Sequence, residues 1–535
     1  SISSWVPDRQ NAVRRTETLI KKRIKIQLKK AVSIFMGAAL PGIMCTILLS
    51  VCLAGCKSIP AIPEKDQTGE NRQQEQMKES KDTDPGQEKK TQAGKDTQNS
   101  GKSTAQDDGS TAGPPVIWNR KMPEDVVLPA SYDYREQGRA PKIGNQGSLG
   151  TCWAFASLTA LESTLLPDQK ETFSVDHMSM HNHFLLGQDE GGEYTMSMAY
   201  LLSWEGPVWE SEDPYGDGIS PDGLKAREHV QEIQILPSKD YEAIKRAVYL
   251  EGGVQSSLYT SMQDYESESI YYNRDTNSYC YIGTEKPNHD SVIVGWDDDF
   301  PKENFNMDLE GDGAFICTNS WGEDFGDQGY FYVSYYDTNI GVHNIVYTGI
   351  EPTDNYDKIY QSDLCGWVGQ IGYGKDTAWF ANAYRTEKRE ELAAAGFYAT
   401  GPDTEYKIYV ARYLPDKDGS DAAGKDRFSQ DHGLESALNR RTLLAEGVLE
   451  YSGYYTIPFD QKIVLDQGEK FAIIVEIKTP DTVHPVAIEY DAGDGIAQVT
   501  MADGEGYLSH NGSLWEHVEE TQKCNLCLKV YTDTK

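Results

Sequence analysis

The sequence predicts an α+β domain followed by an all-β domain, both placed behind a long polar tether. A buried-helix pattern begins at Trp153, and a β-run opens far downstream at His289. After about Gly349, short alternating runs separated by turn residues fill the rest of the chain. At 535 residues the chain is too long for one hydrophobic core, and its length alone predicts two to four domains.

The composition is strongly acidic. Lys and Arg total 50 against 84 Asp and Glu, which gives a formal net charge of −34. Such a surface repels phosphate backbones, so we expect no nucleic-acid partner.

The N-terminal segment has the layout of a secretory signal. Basic residues between Lys21 and Lys30 precede an apolar run from Ala31 to Leu53, which ends in Leu53-Ala54-Gly55-Cys56. This ending resembles the bacterial lipobox, which implies a lipid on Cys56 and a location on the outer face of the cell membrane, with shedding as a variant. The alternative is an uncleaved transmembrane helix, since the run is long enough to span a bilayer.

The chain from Lys57 to about Pro115 is rich in Gln, Glu, Lys, Asp, Ser, Thr and Gly and has almost no apolar residues. It cannot bury enough surface to offset the entropy of ordering, so we predict a disordered linker.

The first chemically informative motif surrounds Cys152. Gly144, Gly147 and Gly150 permit a tight loop, and the apolar pattern from Trp153 suits a buried helix. Cys152 is therefore predicted to lie at the helix N-terminus, where the helix dipole and free N–H groups favour a thiolate.

Three blocks of sequence then carry a family resemblance. They are the run from Ile143 to Ala156, the run Asn288-His289-Asp-Ser-Val-Ile-Val-Gly-Trp296, and the block Asn319-Ser-Trp321-Gly322. Their order is similar to that of the papain family of cysteine proteases, and the spacing from Cys152 to His289 falls within the roughly 130–150 residues expected of papain-like chains. The acidic stretch from Asp297 to Asp312 is predicted to be an insertion between two strands.

The resemblance implies an extracytoplasmic cysteine endopeptidase with a two-lobed domain, one lobe helical and the other a β-barrel. It assigns Cys152 as nucleophile and His289 as its base partner. It further implies that Asn319 orients the imidazole, that Gln146 contributes to the oxyanion hole, and that Trp321 shields the His–Asn hydrogen bond. In isolation a histidine that heads a strand or a cysteine at a helix start is most often structural, so a surface adhesin with an inactive papain-like scaffold is the alternative.

The resemblance also assigns the substrate surface. Gly192, with Gly191 and Trp321, would contact the backbone of an extended substrate, although Gly192 could be a plain turn glycine. The floor of the subsite before the scissile residue falls in the region 340–349. A folded helical propeptide, common in relatives, has no counterpart in the polar linker.

Several other residues are given structural roles. Leu149 stands where relatives commonly have a disulfide-bonded cysteine, so that bridge is expected to be missing. His177, His181 and His183 are predicted to be surface residues, and Cys524 and Cys527 packing residues. We therefore predict no metal site and no cofactor.

The C-terminal region is predicted to be a β-sandwich. Runs such as 394–398, 453–457 and 510–515 resemble the lectin-like domain that follows papain-type proteases of clostridial bacteria. Trp367, Trp379 and Trp515 could stack on cell-wall carbohydrate, the alternative being that they pack in the core. The predicted boundaries are 1–55 for the signal segment, 56–115 for the linker, 116–349 for the peptidase domain and 350–535 for the β domain.

Overall fold

Four helices belong to the first part of the fold. The computed structural model describes residues 114–414, 434–493, 495–501 and 505–535. The four helices of this first part are α1 (Cys152–Leu165), α2 (Val175–Met180), α3 (Tyr194–Leu202) and α4 (Tyr241–Leu250). Ser174 and Asp240 cap α2 and α4 by accepting backbone N–H bonds, whereas no side-chain hydrogen bond caps α1. The first N–H groups of α1 are therefore left without a side-chain cap at Cys152.

Ten strands accompany these helices. They are β1 (Val116–Ile117), β2 (Ser131–Asp133), β3 (Glu228–Ile235), β4 (Val254–Leu258), β5 (Tyr272–Asn273), β6 (Ser278–Tyr279), β7 (His289–Asp297), β8 (Ala314–Thr318), β9 (Tyr330–Ser334) and β10 (Asn344–Pro352). Strand β7 lies antiparallel between β4 and β8, with β4 paired from His289 onward and β8 from Val292 onward.

The predicted insertion between β7 and β8 is present as the loop 298–313, which contains a short 3-10 turn at Lys302–Asn304. Its apolar side chains Phe300, Phe305 and Leu309 are buried together with Cys280 in a small separate core. The insertion is thus a packed feature of this lobe.

The second part of the fold is all-β apart from two short helices. Its strands are β11 (Lys358–Tyr360), β12 (Gly369–Ile371), β13 (Thr377–Arg385), β14 (Glu390–Ala399), β15 (Thr404–Arg412), β16 (Arg441–Leu449), β17 (Ser452–Leu465), β18 (Lys470–Lys478), β19 (Val486–Tyr490), β20 (Gly506–Ser509), β21 (Glu516–His517), β22 (Cys524–Leu526) and β23 (Leu528–Thr534). The helices are α5 (Leu434–Asn439) and α6 (Val518–Thr521).

The sheets connect the two parts. One seven-stranded sheet has the order β1-β16-β15-β18-β13-β20-β21, and a larger sheet runs β11-β23-β14-β17-β3-β10-β4-β7-β8-β9-β6-β5 with β2 on β7. The pairing of β17 with β3 carries one sheet across both parts, and all described residues belong to one compact unit. A large apolar cluster that includes Phe397, Ile473 and Leu508 forms the core of the second part.

The predicted fold class is confirmed, with one difference in detail. The strands around β7 form an open path of pairings where a closed β-barrel lobe was expected. The outer edge of β10 is paired with β3, which pairs in turn with β17, so the edge is satisfied by pairing without closure.

The chain before β2 lies against the second part of the fold. Strand β1 pairs in parallel with β16, and the ring of Trp118 packs edge-on against Tyr455 at 6.4 Å between centroids. Signal residues 1–55, Cys56 and nearly all of the predicted linker lie outside the described residues. None of the helices in the described ranges is long and apolar enough to cross a membrane.

Candidate active site

Cys152 is the first residue of α1, as the sequence predicted. It is partly exposed, while the following Trp153 is 2% exposed and anchors the helix in the core. The backbone N–H groups of Trp153, of Cys152 itself and of Asp290 act on the thiol as hydrogen-bond donors. The sulfur therefore lies beside the start of β7, next to the residue that follows His289.

His289 and Asn319 are brought together by neighbouring strands. His289 opens β7 and Asn319 follows the last residue of β8 directly. The imidazole Nε2 lies 2.8 Å from the Asn319 side-chain oxygen, and both residues are 6% exposed. The Trp321 ring packs at 4.9 Å between centroids from the imidazole and is itself 4% exposed, so water is excluded from this hydrogen bond.

Gln146 is held in place by the loop that carries Asn319. Its backbone N–H donates to the Ser320 carbonyl at 2.8 Å, and its side-chain oxygen accepts from Ser320 Oγ at 2.7 Å. The side-chain nitrogen donates to the Leu149 carbonyl at 2.7 Å, which leaves its second N–H for another acceptor. The Gln146 amide is therefore oriented by partners on both sides.

Gly191 and Gly192 lie against the start of α1. A side chain at Gly192 would meet the Trp153 indole at 2.5 Å, and Gly191 has a positive φ of +82°. Both positions thus favour glycine, Gly192 for close packing on the indole and Gly191 for its backbone conformation. The pair is partly exposed and lies against Gly150 and Trp153, on either side of Cys152.

Burial dominates the electrostatics of the pair. It raises the pKa of Cys152 to about 12, with the Asp290 carboxylate adding to the rise and the N–H donors opposing it. Burial also lowers the pKa of His289, against the opposing effects of the Asn319 hydrogen bond and Asp290. Burial of the thiol and the N–H groups around it thus act on the Cys152 pKa in opposite directions.

Two residues that matter for this geometry were not singled out from the sequence. Ser320 links Gln146 to the Asn319 loop, and it stands within the Asn-Ser-Trp-Gly block itself. Asp290 contacts the thiol through its backbone N–H, and its only signal was its place directly after His289.

The prediction for His177 was wrong. This side chain is 3% exposed, its Nδ1 lies 2.7 Å from the Tyr200 hydroxyl, and its ring stacks on that of His181 at 4.4 Å. Burial, together with His181, lowers the pKa of His177 to about 4. The two rings lie on one side of the short helix and its C-terminal cap, and that side is turned into the protein at His177.

The cysteines predicted to be packing residues and one tryptophan considered for carbohydrate stacking can also be located. All six cysteines of the described ranges are free thiols, and Cys524 and Cys527 are buried in two different core clusters, which confirms them as packing residues. Trp379 is stacked on Tyr409 at 5.5 Å and covered by the guanidinium of Arg441 at 4.3 Å, so it is not an open platform. Within the described ranges, no group of three or more His, Cys, Asp or Glu could hold a metal ion.

Two stretches of the chain match known protein families. Residues 128–350 match the model of the papain family cysteine protease, and residues 359–532 match that of the lectin like domain. Mouse (Mus musculus) cathepsin K is 25% identical over 210 residues, which cover 38% of this chain and 59% of that protein. Cathepsin S of Bos taurus is 29% identical over 227 residues, which cover 40% of this chain and 64% of that protein. The chain thus spans about three fifths of the length of these two relatives.

Solved structures extend the similarity over both parts of the fold. The clostridial cysteine protease Cwp84 after propeptide cleavage is 26% identical with a TM-score of 0.64, covering 76% of this chain and 99% of that one. The cysteine protease and lectin-like domains of Cwp84, described as a surface layer associated protein of Clostridium difficile, are 25% identical with a TM-score of 0.65, covering 80% of this chain and 94% of that one. Residues 128–350 of this chain therefore belong to the papain family of cysteine proteases, and they are followed by a lectin-like domain at 359–532.

Proposed function

We propose that this chain is a cysteine endopeptidase in which Cys152 is the nucleophile and His289 its acid–base partner. The observation that carries the proposal is the arrangement around the thiol. Cys152 begins a buried helix, its sulfur lies beside the start of β7, and the imidazole that opens this strand is fixed at 2.8 Å by Asn319. A nucleophile, a base and a group that orients the base are the three parts that such catalysis requires.

The reaction follows from these positions. Nε2 of His289 is engaged with Asn319, which leaves Nδ1 to take the thiol proton. The sulfur attacks the scissile carbonyl carbon, the carbonyl π electrons move to oxygen, and the N–H of Cys152 with the second N–H of Gln146 stabilises that oxyanion. His289 then protonates the departing amine, and an acyl-enzyme remains. Water, deprotonated by His289, attacks the acyl carbon and releases the carboxylic acid and the thiol.

The test is covalent labelling by a peptidyl epoxide inhibitor of thiolate proteases, followed by mass spectrometry and a peptide-cleavage assay. We expect one label on Cys152, none in Cys152→Ala, and no peptide turnover in that variant although it folds. Cys280→Ala is the matched control, since Cys280 is buried in a separate cluster, and it should remain labelled and active. Turnover by Cys152→Ala would end the assignment.

The second candidate is a surface adhesin in which the protease scaffold is inactive. The observation in its favour is the lectin-like domain. Its expected result in the same test is a folded protein that binds carbohydrate, is not labelled and cleaves no peptide.

The partners proposed are protein or peptide substrates and cell-wall carbohydrate, without nucleic acid. For the carbohydrate we favour a cleft of about 400 Å³ in the β domain, lined by the rings of Trp367 and Tyr490 and by the polar side chains of Gln370 and Asp481. Aromatic faces beside a few polar groups are the usual lining of small-molecule sites. Binding of wild-type protein but not Gln370→Ala to purified cell wall would support it.

We also propose attachment to the outer face of the cell membrane through lipid on Cys56, with shedding as a variant. The support is the lipobox-like ending of the apolar run and the surface layer association stated for Cwp84.

A further inference from the structure

A separate cavity lies along α1, here called the α1 cavity. Its volume is about 250 Å³, and its walls are α1 from Phe155 to Glu162, the loop 142–145, and the side chains of Phe173, Glu210 and Tyr215. Within the described part of the chain, this lining includes none of the residues assigned to the reaction or to the substrate surface. One water occupies about 30 Å³ in the liquid, so the cavity has room for a small organic molecule.

The Glu162 side chain brings an unpartnered oxygen to this cavity. It is 8% exposed, and its Oε1 accepts from the Phe173 backbone N–H at 2.7 Å. Among the described residues no donor forms a hydrogen bond with Oε2, and no Lys, Arg or His forms a salt bridge with this carboxyl group. A buried acceptor without a partner is costly, so Oε2 favours a donor that enters through the cavity.

Glu210 adds a second carboxyl group to the same lining. Its Oε1 accepts from the Tyr215 backbone N–H at 3.0 Å, and it too forms no salt bridge with a described residue. Lys142 is the one cationic side chain of the lining; it is exposed and lies beyond salt-bridge distance of both acids. Two carboxyl groups against one lysine give the cavity a negative balance, which favours a cationic ligand over an anionic one.

The other walls are largely aromatic and are held in place. The rings of Phe155 and Tyr215 meet edge-on at 4.8 Å between centroids, and that of Phe173 is stacked on Trp209 at 4.8 Å. The Tyr215 hydroxyl also donates to the Gln146 carbonyl at 3.0 Å. Fixed walls reduce the entropy lost on binding, and aromatic faces attract cations.

We propose that the α1 cavity binds a small organic ammonium ion, with its N–H groups on Glu162 and Glu210 and its short apolar chain on Phe155 and Tyr215. A primary ammonium has three donors, enough to reach Oε2 of Glu162 and the second oxygen of Glu210. Its apolar chain would cover the aromatic walls. This inference concerns a site apart from Cys152 and does not depend on the proposed protease activity.

Binding should be coupled to the loss of a proton from Glu162. Burial raises the pKa of Glu162 to about 8; the Phe173 N–H and Lys142 oppose this rise and Glu210 adds to it. Below that pH the empty site holds mostly the neutral acid, and a bound ammonium ion favours the carboxylate. Affinity should therefore increase about tenfold from pH 6 to pH 8, a range in which a primary ammonium with a pKa near 10.4 stays charged.

The test is calorimetric titration of the protein with n-pentylamine, 1-pentanol and valerate at about pH 6 and about pH 8. The three probes have the same chain length and differ in charge. Glu162→Gln and Glu210→Gln each remove one carboxylate, and Glu210 is only half-buried, so its variant serves even where Glu162→Gln fails to fold. Glu171→Gln is the matched control, because it removes an exposed carboxylate next to the lining residue Thr172.

We expect n-pentylamine to bind once per chain, about tenfold or more tighter than 1-pentanol, and valerate not to bind. Both cavity variants should lose about tenfold in affinity for the amine, Glu162→Gln should also lose the pH dependence, and Glu171→Gln should bind as wild type. Equal affinity for amine and alcohol, or an unchanged affinity in the folded cavity variants, would overturn the inference. So would the absence of amine binding up to about 10 mM.

Discussion

Two hydrogen bonds join Gln146 and Ser320. The backbone N–H of Gln146 donates to the Ser320 carbonyl at 2.8 Å, and Ser320 Oγ donates to the Gln146 side-chain oxygen at 2.7 Å. The two residues are 174 positions apart in the chain. This double contact fixes the amide that we place in the oxyanion hole to the loop that carries Asn319. The bridge at Asn145 and Trp321 and the bond from Gly322 N–H to the Gly144 carbonyl continue the same junction.

Ser320→Ala should lower kcat more than it raises KM. The Gln146 amide would lose its fixed orientation, and an oxyanion donor acts mainly in the transition state. We expect a decrease in kcat of about 10-fold and a loss of about 1 kcal/mol in the free energy of unfolding. Ser509→Ala, which also removes a buried hydroxyl but in the β domain, should lose similar stability and keep its kcat. Equal kinetic effects in the two variants would contradict the role given to Ser320.

The pH dependence of kcat/KM should show a broad plateau. Activity requires the Cys152–His289 pair to hold one proton, either on sulfur or on the imidazole. Below the lowered pKa of His289 the pair holds two protons, so the acid limb should lie below the ordinary imidazole value of about 6.5. Above the raised pKa of Cys152 it holds none, so the alkaline limb should lie above 9.

The measurement is kcat/KM on an uncharged peptide across this range. Asp290→Asn should move the alkaline limb to lower pH, because the Asp290 charge contributes to the rise in the Cys152 pKa. Activity that only rises through about 8.5, as for a free thiol, would argue against a coupled pair.

Arg120→Ala should destabilise the protein. Arg120 Nε donates to Glu232 at 2.8 Å and its Nη2 to Glu251 at 2.9 Å, with all three side chains largely buried. Loss of two charge-assisted bonds should reduce the free energy of unfolding by about 2 kcal/mol, measured by denaturant titration. Lys121→Ala removes an exposed pair with Glu124 and should change nothing measurable. Equal effects would show that the Arg120 contacts are not stabilising.

Removal of the linker should not activate the protease. A tight inhibitor of the cleft needs apolar residues, and residues 57–115 have almost none, while the leader from Val116 is occupied by pairing with β16. Chains that begin at Lys57 and at Val116 should have similar kcat/KM, and a chain that begins at Leu128 should melt at a lower temperature. A large gain in activity on removal of residues 57–115 would identify them as an inhibitory prosegment.

Cys56 should carry lipid when the protein is isolated from its native membrane. The expected product begins at Cys56 with a diacylglyceryl group on its sulfur, and mass spectrometry of the N-terminal peptide would detect it. An unmodified Cys56 within an intact N-terminal segment would favour a transmembrane anchor.

The sequence alone was sufficient for the order of the domains, the helix start at Cys152, the strand start at His289 and the insertion before β8. These features depend on local periodicity, on glycine positions and on motifs that lie within a few residues of each other. Contacts between distant segments depended on tertiary structure. Three such contacts join residues that no local pattern connects. They are the pairing of β17 with β3, the burial of His177 against Tyr200, and the two hydrogen bonds between Gln146 and Ser320. The charge on Asp290 was visible in the sequence, but its effect on Cys152 was not, because that effect requires the fold to bring β7 beside the start of α1.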